Sequence, residues 1–389
     1  MKILVLNSGS SSLKFKLIKT GKTPIILSKG IIDGIGQKKC KFTFTSEEKD
    51  IGQFLKIKNH DQAIDLLLTT LEKNGPIESL KEIDAIGHRV VHGGEKYTTP
   101  TKIDAKTLRD LESLSNLAPL HNPANIAGIK ACKKILPRTP QIAVFDTAFH
   151  QTMPEKAFKY AIPEELYKKH GIRRYGFHGT SHKYVIKETL KLLKKKKAKI
   201  ISCHLGNGSS ITAYDGKSID TSMGFTPLEG LPMGTRAGSI DPGIIFHMEE
   251  HLKMSPSKVN EILREESGLK ALYGKSPDMR KIYEASLQKD PEALKAIEIL
   301  SYHIAKYLGA YTAALKGLDA IVFTGGIGQN AFYVREQALA HLEFLGLKLD
   351  KRKNQKCETK ISSKASKIKV FVIPTDEELQ IAKETQTAL

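Results

Sequence analysis

The sequence predicts an α/β fold built from two related domains, on three observations. The chain has 389 residues, and at about 150 residues per domain this length corresponds to two to three domains. Apolar runs typical of strands alternate along the chain with apolar residues at helical spacing. ILVLNSGSSSLKF, from Ile3, and IISCHLGNGSSITA, from Ile200, share a strand, a turn of Gly, Ser and Asn, and an alternating strand. Together these features indicate two copies of one unit that face each other across a cleft.

In the first half of the chain, strands alternate with helices. Lys2–Asn7 is an apolar run that ends in a Gly/Ser cluster, and Leu13–Ile18 alternates strictly, so both are predicted strands. Apolar residues recur at helical spacing in Asp61–Leu71 and Ala105–Leu117, which predicts two helices. Two further predicted strands, each ending in Gly or polar residues, are Ala85–Gly94 and Gln141–His150.

The second half repeats this order. Lys199–Leu205 is a predicted strand, followed by the turn GNGSS and an alternating strand. Ser255 and Pro256 predict a helix start, since serine caps helices and proline suits the first helical position. Pro291–Leu315 is a long helical pattern. The last predicted elements are a strand at Ala320–Gly326, a strand at Lys369–Pro374 and a helix at Glu377–Thr387.

The charge favours a rival class of function. The chain carries 61 Lys+Arg against 42 Asp+Glu, a formal net charge of +19, and excess cations are typical of nucleic-acid binding. Lysine-rich stretches occur at Lys194–Lys197, Lys351–Lys356 and Lys364–Lys369. However, no aromatic residues interleave with these runs, and no helix-turn-helix, zinc-finger or RNP signature is present. The simpler interpretation is a solvated lysine surface, with no specific nucleic-acid partner.

The sequence also bears on compartment. No run of about 18 uncharged apolar residues is present, which argues against a transmembrane helix. The N-terminal MKILVLNSGSS has no signal-peptide pattern and is interpreted as a first strand. Four scattered cysteines, without a CxxC pair, argue against a disulfide scaffold or zinc site and favour a cytoplasmic protein.

Three Gly-rich turns follow apolar strands, at Asn7–Ser12, His204–Ser210 and Gly325–Asn330. Glycine lets backbone N–H groups approach an anion closely. One such turn is usually a hairpin, but three after three strands favour a bound nucleotide. The P-loop, the dinucleotide-binding GxGxxG and the protein-kinase catalytic loop are all absent from the sequence.

Polar residues stand at predicted strand ends or beside glycines. Each alone is typical of a structural hydrogen bond or cap, and the set comprises Arg89, His92, His121, Asp146, His178 and Arg236. The two arginines suit a small anion, because guanidinium pairs bidentately with carboxylate and phosphate. Asn7, Asp146 and Glu377 offer the hard oxygen ligands that Mg²⁺ prefers.

Long motifs carry a family resemblance. In chain order they are MKILVLNSGSSSLKF, HRVVHGG, LHNPAN, FDTAFH, YGFHGTSH, HLGNGSS, TPLEGLPMGTRAGSIDPG, DMR, FTGGIGQN and PTDEEL. This set resembles the acetate kinase family from Met1 to the final helix, in family order. The resemblance implies two RNase H-like domains of the acetate and sugar kinase, Hsc70 and actin superfamily, with the active site in the cleft between them. The implied domains are 1–148 plus the returning helix 378–389, and 149–377, with hinges expected near 146–151 and 375–378.

The resemblance also implies an activity. Family members transfer a phosphoryl group directly and reversibly from ATP to acetate, giving acetyl phosphate and ADP, with Mg²⁺ (or Mn²⁺) and as homodimers. The nearest alternative is the same chemistry on propionate or butyrate. A non-catalytic actin-like ATP-binding scaffold is a further alternative, but such a scaffold would tolerate loss of Arg89, Asp146, His178 and Arg236, all of which are intact.

Functional residues carry over by motif. Asn7 and Glu377 match the magnesium residues, Arg89 the substrate arginine and Asp146 the catalytic aspartate, while His178 and Arg236 match residues that stabilise the moving phosphoryl group. The small apolar acetate pocket corresponds to Val91, Leu120, Phe177 and Pro227. The nucleotide-binding positions are Lys14, His204, Leu205, Gly206, Asn207, Gly208, Asp278, Met279, Arg280, Gly326, Ile327, Gly328, Gln329 and Asn330.

The sequence departs from the family pattern near these motifs. Asp376 replaces the usual Asn and adds a negative charge beside the expected metal, Ser239 replaces a commoner Asp, and Lys275 and Pro277 precede the adenosine segment. None of these changes removes a catalytic group. Because acetate is already ionised at pH 7, it has no proton for a base to remove, so we expect Asp146 to orient Arg89 or a metal-bound water.

Overall fold

A computed structural model describes residues 1–119 and 121–389. Contacts divide the chain into two compact units, Met1–Phe149 with Asp376–Leu389, and His150–Thr375. The chain therefore leaves the first unit after Phe149 and returns to it at Asp376. The expected cleft and hinges between the domains stay predictions.

The first unit is built on an eight-stranded sheet. Its strands lie in the order β5-β4-β3-β2-β1-β6-β8-β7. β1 to β5 form an antiparallel meander, whereas β6 and β8 extend the sheet from β1 in parallel. The elements are β1 Lys2–Ser8, β2 Ser12–Lys19, β3 Ile25–Asp33, β4 Cys40–Ser46, β5 Asp50–Leu55, α1 His60–Asn74, β6 Ala85–Val90, β7 Thr101–Lys102, α2 Ala105–Ser113, α3 Asn122–Ile135, β8 Gln141–Phe145 and α15 Glu377–Thr387.

Helices cover both faces of this sheet, so β1 is apolar on both sides. Leu4 and Leu6 pack in the core that holds α1 and α3, while Ile3 and Val5 pack against α15. α15 approaches the sheet closely at Gly87 of β6, where a Cβ atom would lie 2.3 Å from Thr385 Oγ1. Glycine at this position lets α15 pack closely against the face of the sheet.

The second unit is built on a five-stranded sheet in the order β11-β10-β9-β12-β13. β9, β12 and β13 are parallel, while β10 and β11 are antiparallel to their neighbours. The elements are α4 Glu155–Phe158, α5 Glu164–His170, α6 Gly179–Leu193, β9 Lys199–Leu205, β10 Ser209–Asp215, β11 Ser218–Thr221, α7 Gly243–Glu250, α8 Pro256–Glu261, α9 Gly268–Tyr273, α10 Met279–Leu287, α11 Pro291–Leu315, β12 Ala320–Thr324, α12 Gly325–Asn330, α13 Phe332–Ala340, α14 Lys351–Gln355 and β13 Lys369–Val372.

The two sheets share one arrangement. β3-β2-β1-β6-β8 of the first sheet and β11-β10-β9-β12-β13 of the second each combine an antiparallel three-stranded meander with two further parallel strands. The paired segments from Ile3 and Ile200 form the same hairpin in both, β1–β2 and β9–β10. The predicted α/β fold of two related domains is confirmed.

Some local predictions need correction. The predicted helix Ala105–Leu117 ends at Ser113 and continues as a 3₁₀ turn. The third Gly-rich turn, Gly325–Asn330, is a short helix. Gly325 has a φ of 77°, which turns the chain sharply from β12 into this helix, and a Cβ there would lie 2.5 Å from the Leu205 carbonyl oxygen. Within the described residues, no helix has both the length and the apolarity to cross a bilayer.

Candidate active site

In the first unit, functional side chains gather where three parallel strands end. Asn7, Arg89 and Asp146 lie at the carboxyl ends of β1, β6 and β8. Because these strands are parallel neighbours, their carboxyl ends share one edge of the sheet. The sheet therefore brings together three residues that are distant in the sequence.

Arg89 is the centre of this group. Its Nε donates to Asp146 Oδ1 at 3.2 Å and its Nη2 donates to Asp146 Oδ2, so the pair is bidentate. Nη1 donates to Asn7 Oδ1 at 3.2 Å. Burial opposes the charge of Arg89, but the carboxylates of Asp146 and Glu377 outweigh it and raise the arginine pKa. The guanidinium is thus a permanently charged group in a fixed orientation.

Glu377 joins the group from the first turn of α15. Its Oε2 lies 3.6 Å from Arg89 Nε. Burial raises the pKa of Glu377 to about 7, and the charges of Asp146 and Glu378 add to that effect against the opposing Arg89 and Lys14. Burial is the main cause of this shift, and a further cation beside Glu377 would favour its charged form.

The oxygen donors here fit a hard metal ion. Asn7, Asp146 and Glu377 offer one amide and two carboxylate oxygens, and Mg²⁺ takes one or two carboxylates and keeps several waters. Among the described residues, no cluster of three or more His, Cys, Asp or Glu side chains is arranged as a metal cage. A metal held here would thus depend on water and on substrate oxygens for part of its coordination.

Other predicted residues of the first unit lie close by in the chain. Lys14 pairs with Asn7 in the β1–β2 register. Val91 follows β6, is buried, and donates its backbone N–H to Asn125 Oδ1 at 3.0 Å. Leu120 lies outside the described residues.

In the second unit, His178 and Arg236 converge beside Gly208. A Cβ atom on Gly208 would lie 3.5 Å from His178 Nε2 and 3.7 Å from Arg236 Nη1. His178 has a φ of 58°, an uncommon conformation for a side chain other than glycine, at the cap of α6. Arg236 Nη1 also donates to the Pro227 carbonyl at 3.2 Å. The His178 imidazole and the Arg236 guanidinium therefore lie beside Gly208, and the absence of a side chain at Gly208 leaves space next to both groups.

Histidines and serines surround His178. The rings of His178 and His204 stack with centroids 4.3 Å apart. His204 Nδ1 lies 2.8 Å from Ser181 Oγ, which donates to Thr375 Oγ1 at 2.9 Å. Phe177, the residue before His178, is buried, and its carbonyl lies 3.0 Å from His150 Nε2.

A cavity of about 810 Å³ opens in the same unit. This volume is within the range of sites that hold drug-sized ligands. The predicted nucleotide residues that line it are Gly206, Asn207, Asp278, Met279, Arg280, Gly326, Ile327 and Asn330. Leu205, in contrast, is buried in the hydrophobic core, so its side chain is not available to a ligand. His204, Gly208, Gly328 and Gln329 are not among the lining residues.

The cavity has an aromatic wall that the sequence analysis missed. The rings of Tyr283 and Tyr333 are parallel within 4° with centroids 3.9 Å apart, and Phe332 meets both edge-on. Aromatic walls of this kind suit a flat heterocycle. Their helices, α10 and α13, are separated in the chain by α11, so sequence spacing does not reveal the pair.

Asp278 and Arg280 form a pair at the cavity rim. Asp278 caps α10 and accepts from Arg280 Nε at 3.1 Å and Nη2 at 2.6 Å. Hydrogen bonds from Arg280 lower the pKa of the Asp278 carboxyl to about 2. The Arg280 side chain is 86% exposed, so it is free to turn towards an anionic ligand.

Arg335 is a second residue that the sequence analysis missed. It is fully buried, and within the described part of the chain none of its hydrogen bonds goes to a carboxylate. Nη1 donates to the carbonyls of Gly328 at 2.7 Å and Gln329 at 2.8 Å, while Nε and Nη2 bond to Asn354. Arg335 thereby holds the end of α12, the helix whose residues line the cavity. The sequence offers only a weak signal, an arginine in the middle of an apolar helix.

The acetokinase family matches residues 2–383 of the chain. The acetate kinase of Thermotoga petrophila is 51% identical over 396 residues, covering 99% of this chain and 98% of that protein. The chain belongs to the acetokinase family. The predicted resemblance is therefore confirmed.

Two solved kinase structures are similar over the whole chain. The Porphyromonas gingivalis acetate kinase has a TM-score of 0.94 at 41% identity, covering 100% of this chain and 99% of that chain. A propionate kinase from Francisella tularensis has a TM-score of 0.95 at 47% identity, covering 100% of both chains. The similarity thus extends through both units.

The departures from the family pattern have structural partners. Asp376 caps α15 by accepting from Leu379 N–H at 2.9 Å, and it pairs with Lys16 Nζ at 2.8 Å. Lys16 also lies 3.3 Å from Glu378. The extra negative charge of this acetokinase is thus offset by a lysine beside it.

The other departures lie in the second unit. Ser239 Oγ accepts from Gly230 N–H at 3.1 Å, which closes the loop that carries Arg236. Lys275 pairs with Asp290 at 2.7 Å, and Pro277 lines the cavity. These residues shape the loops around the predicted site, and each has a packing or hydrogen-bonding role.

Proposed function

We propose that the chain is an acetate kinase, which transfers a phosphoryl group reversibly from ATP to acetate and yields acetyl phosphate and ADP. The observation that carries the proposal is the bidentate Arg89–Asp146 pair, held at the joint end of three parallel strands. Such a preorganised guanidinium suits a carboxylate or phosphate. Membership of the acetokinase family supports the same reaction.

Arg89 would bind the anionic oxygens that meet during transfer. The transition state is loose and spreads charge over three equatorial oxygens, so catalysis depends on positioning and electrostatics. Asp146 engages two guanidinium nitrogens of Arg89, and acetate at neutral pH has no proton to lose. We infer that Asp146 orients Arg89 and does not act as a general base.

Mg²⁺ fits the donor set of the first unit. Asn7 and Glu377 would hold it, and the bound cation would favour the charged form of Glu377, whose pKa burial raises. When bound, the metal neutralises phosphate charge and helps to orient the substrate. Asn7 Oδ1 already accepts from Arg89, so this amide links the arginine to the proposed metal site.

The second unit would bind the nucleotide. The 810 Å³ cavity and its Tyr283–Tyr333 wall suit an adenine ring, and Arg280 at the rim suits a phosphate. His178 and Arg236, which converge on Gly208, would stabilise the charge on the phosphoryl group during transfer. The backbone beside Gly208 leaves room for that group.

Acetate is the preferred substrate in this proposal, and propionate is the second candidate. The curated relatives at about 51% identity are acetate kinases, whereas the structure with a TM-score of 0.95 is described as a propionate kinase. One methylene in an apolar pocket changes discrimination by about 1–3 kcal/mol. We therefore expect partial activity on propionate and less on butyrate.

A coupled assay tests the function. Purified protein is given ATP with acetate, propionate or butyrate, with and without Mg²⁺, and ADP release is recorded. The highest kcat/KM with acetate and no turnover without the metal would support the proposal. Absence of turnover with all three acids would contradict it.

Asp146→Asn tests the orienting role. If Asp146 only holds Arg89, this variant keeps much of kcat once Mg²⁺ is saturating, because an amide still accepts a hydrogen bond. A pH–rate profile for acetate phosphorylation that loses a limb in the variant would instead identify Asp146 as a base. Asp110→Asn, which removes a partly exposed carboxylate that pairs with Lys96, is the control.

We also infer a homodimer. Helix α7 is largely apolar, yet none of its residues is buried. Ile244 and Phe246 on this helix and Leu252 just after it are about half exposed, and contiguous exposed apolar residues are typical of protein interfaces. Light scattering would show a dimer, and Phe246→Glu would yield monomers. Phe344→Glu, at another exposed phenylalanine, would leave the dimer intact, whereas a monomeric wild type would contradict the inference.

A cytoplasmic location is part of the same proposal. All four cysteines are unpaired, and Cys40, Cys132 and Cys203 are buried. Free thiols are typical of reducing compartments. Fractionation of the native host cells with an antibody against the chain would test the location, and recovery outside the cytoplasm would contradict it.

A further inference from the structure

Four side chains of the second unit form a hydrogen-bonded chain that ends at His178. Ser202 Oγ lies 2.8 Å from His182 Nδ1, and His182 Nε2 lies 2.8 Å from Ser210 Oγ. Ser210 Oγ in turn lies 2.9 Å from His178 Nδ1. The order is therefore Ser202, His182, Ser210, His178.

Within this hydrogen-bonded series, His182 is neutral. It is fully buried, and burial together with the nearby His150 and His204 lowers its pKa well below the ordinary imidazole value. A neutral imidazole has one N–H donor and one acceptor nitrogen. His182 must therefore donate to one of its two serines and accept from the other.

Ser202 decides the direction. Its side chain is fully buried, and among the described residues its hydroxyl has one hydrogen-bond partner, His182 Nδ1. If Ser202 accepted from His182, its own O–H would be a buried donor without an acceptor, which costs about 1–3 kcal/mol. If Ser202 donates, the hydroxyl protons of Ser202 and Ser210 and the ring proton of His182 are each donated in a hydrogen bond. Only lone pairs of the serine oxygens are then without a partner in this series.

The remaining directions follow. His182 accepts at Nδ1, so its proton is on Nε2 and is donated to Ser210. The Ser210 hydroxyl then donates its own proton to His178 Nδ1. A nitrogen that accepts a hydrogen bond carries no proton, so neutral His178 must carry its proton on Nε2. That nitrogen is the one that approaches Gly208 beside Arg236 Nη1.

We propose that Ser202, His182 and Ser210 are positioning residues that fix the tautomer of His178 with Nε2–H directed at the transferring phosphoryl group. The phosphoryl target rests on the proposed function, whereas the tautomer rests on the hydrogen bonds and on the burial of His182. His178 is then a preorganised donor, like Arg236, and both groups supply N–H bonds where charge develops. The two serines and His182 touch no substrate and act only through His178.

Nuclear magnetic resonance of ¹⁵N-histidine-labelled protein at about pH 8, above the ordinary imidazole pKa, measures the tautomer directly. His178 and His182 signals are assigned by their loss in His178→Gln and His182→Gln. The expected wild-type spectrum shows a protonated Nε2 and an unprotonated Nδ1 in both rings. A proton on Nδ1 of His178, in a neutral or a charged ring, would overturn the proposal.

Two serine variants test whether the chain sets this state. Ser210→Ala removes the donor to His178, so the Nδ1 signal should shift and kcat should fall about tenfold to a hundredfold with little change in the KM for ATP. Ser202 does not contact His178. Ser202→Ala should nevertheless allow the hydrogen bonds among His182, Ser210 and His178 to form in either donor direction, which places part of the His178 proton population on Nδ1. His178 signals that stay unchanged in both variants would overturn the proposal.

Thr212→Val is the matched control. Thr212 lies on the same strand, two residues after Ser210, and its buried hydroxyl donates only to Thr221 Oγ1, at 2.9 Å. This variant should lose some stability but keep the wild-type His178 signals and kcat. If the wild type shows the expected tautomer but transfers no phosphoryl group to any carboxylate, the proposed function is wrong and the tautomer assignment still holds.

Discussion

The two units hold their functional side chains by different physical means. In the first unit, Arg89 is fixed by charged partners, Asp146 and Glu377, at distances of direct ion pairing. In the second, His178 is fixed by a neutral chain through Ser210 and His182. Charges so close together affect one another's protonation. The state of His178, in contrast, depends on which group donates and which accepts in each of the neutral hydrogen bonds. Activity should therefore be most sensitive to changes of charge at the Arg89 group of the first unit, and to loss of a single hydroxyl at the His178 group of the second unit.

The largest effect is expected from Arg89→Ala. It leaves Asp146 and Glu377 without their shared cation, and breaking a buried ion pair costs about 3–5 kcal/mol. Separately from that loss of stability, Arg89→Ala removes a preorganised donor to the anionic oxygens, so we expect kcat/KM for acetate to fall by roughly a hundredfold to a thousandfold. Lys130→Ala, which removes an exposed pair with Glu112, is the control and should change kcat/KM less than twofold. A similar loss in both variants would contradict a special role for Arg89.

Arg335→Met should have the next largest effect. The variant leaves the carbonyls of Gly328 and Gln329 without their donor, and each buried unsatisfied group costs about 1–3 kcal/mol. We expect the free energy of unfolding to fall by about 3 kcal/mol and the KM for ATP to rise about tenfold. Urea titration and ATP saturation curves measure the two changes. The exposed Arg352 gives the control Arg352→Met, and an unchanged KM for ATP in Arg335→Met would separate Arg335 from nucleotide binding.

His88 extends the comparison, because the first unit also contains a neutral histidine away from its ion pairs. Burial lowers the pKa of His88 to about 4, and its Nε2 lies 2.8 Å from the Gln141 side-chain amide. The unfolded state binds the proton near pH 6.5 and the folded state only near pH 4. Stability is therefore fully present above pH 6.5 and falls between these values, by about 3 kcal/mol at about 1.4 kcal/mol per pKa unit.

The variant His88→Gln should reduce the loss of folding stability between pH 6.5 and about 4. Urea titrations at several pH values between about 7.5 and 4 measure it, with His170→Gln at an exposed position as the control. If both variants keep the wild-type slope, His88 does not contribute to the loss of stability in acid.

The smallest effect is expected from Val91→Ala. If Val91 lines the acetate pocket, removing two methyl groups should raise the ratio of kcat/KM for propionate over acetate by about tenfold, the lower part of the range for such discrimination. Val90→Ala, at the preceding core position, should lower stability without changing the ratio. An unchanged ratio in Val91→Ala would remove this residue from the pocket.

The sequence predicted the elements with strong local patterns. Pro291–Leu315 and Glu377–Thr387 have the predicted bounds, because a capping aspartate stands before each and the apolar period is sustained. β3, β4 and β5 were not predicted. β3 and β5 have weak alternation, whereas the buried Cys40, Phe42 and Phe44 of β4 alternate with less buried residues and were a signal that the prediction missed. The helix Gly325–Asn330 was predicted as a turn because glycines disfavour helices and only the tertiary contact of Arg335 shows what holds it.

The candidate site was predictable only as separate residues. Motif resemblance named Asn7, Arg89, Asp146 and Glu377, but not that Arg89 contacts the other three. That arrangement arises from parallel strands and from α15, which comes from the end of the chain. The Tyr283–Tyr333 wall and the Ser202–His182–Ser210 chain join residues of different elements, so no local pattern encodes them.

The most direct test of the account is a comparison of both Michaelis constants in two conservative variants. Lysine cannot reproduce the bidentate contacts of arginine, so Arg89→Lys should raise the KM for acetate about tenfold and leave the KM for ATP within about twofold. Arg335→Lys should do the reverse. This result would show that the first unit handles the carboxylate and the second the nucleotide. If each variant raises both constants equally, that division of roles is wrong.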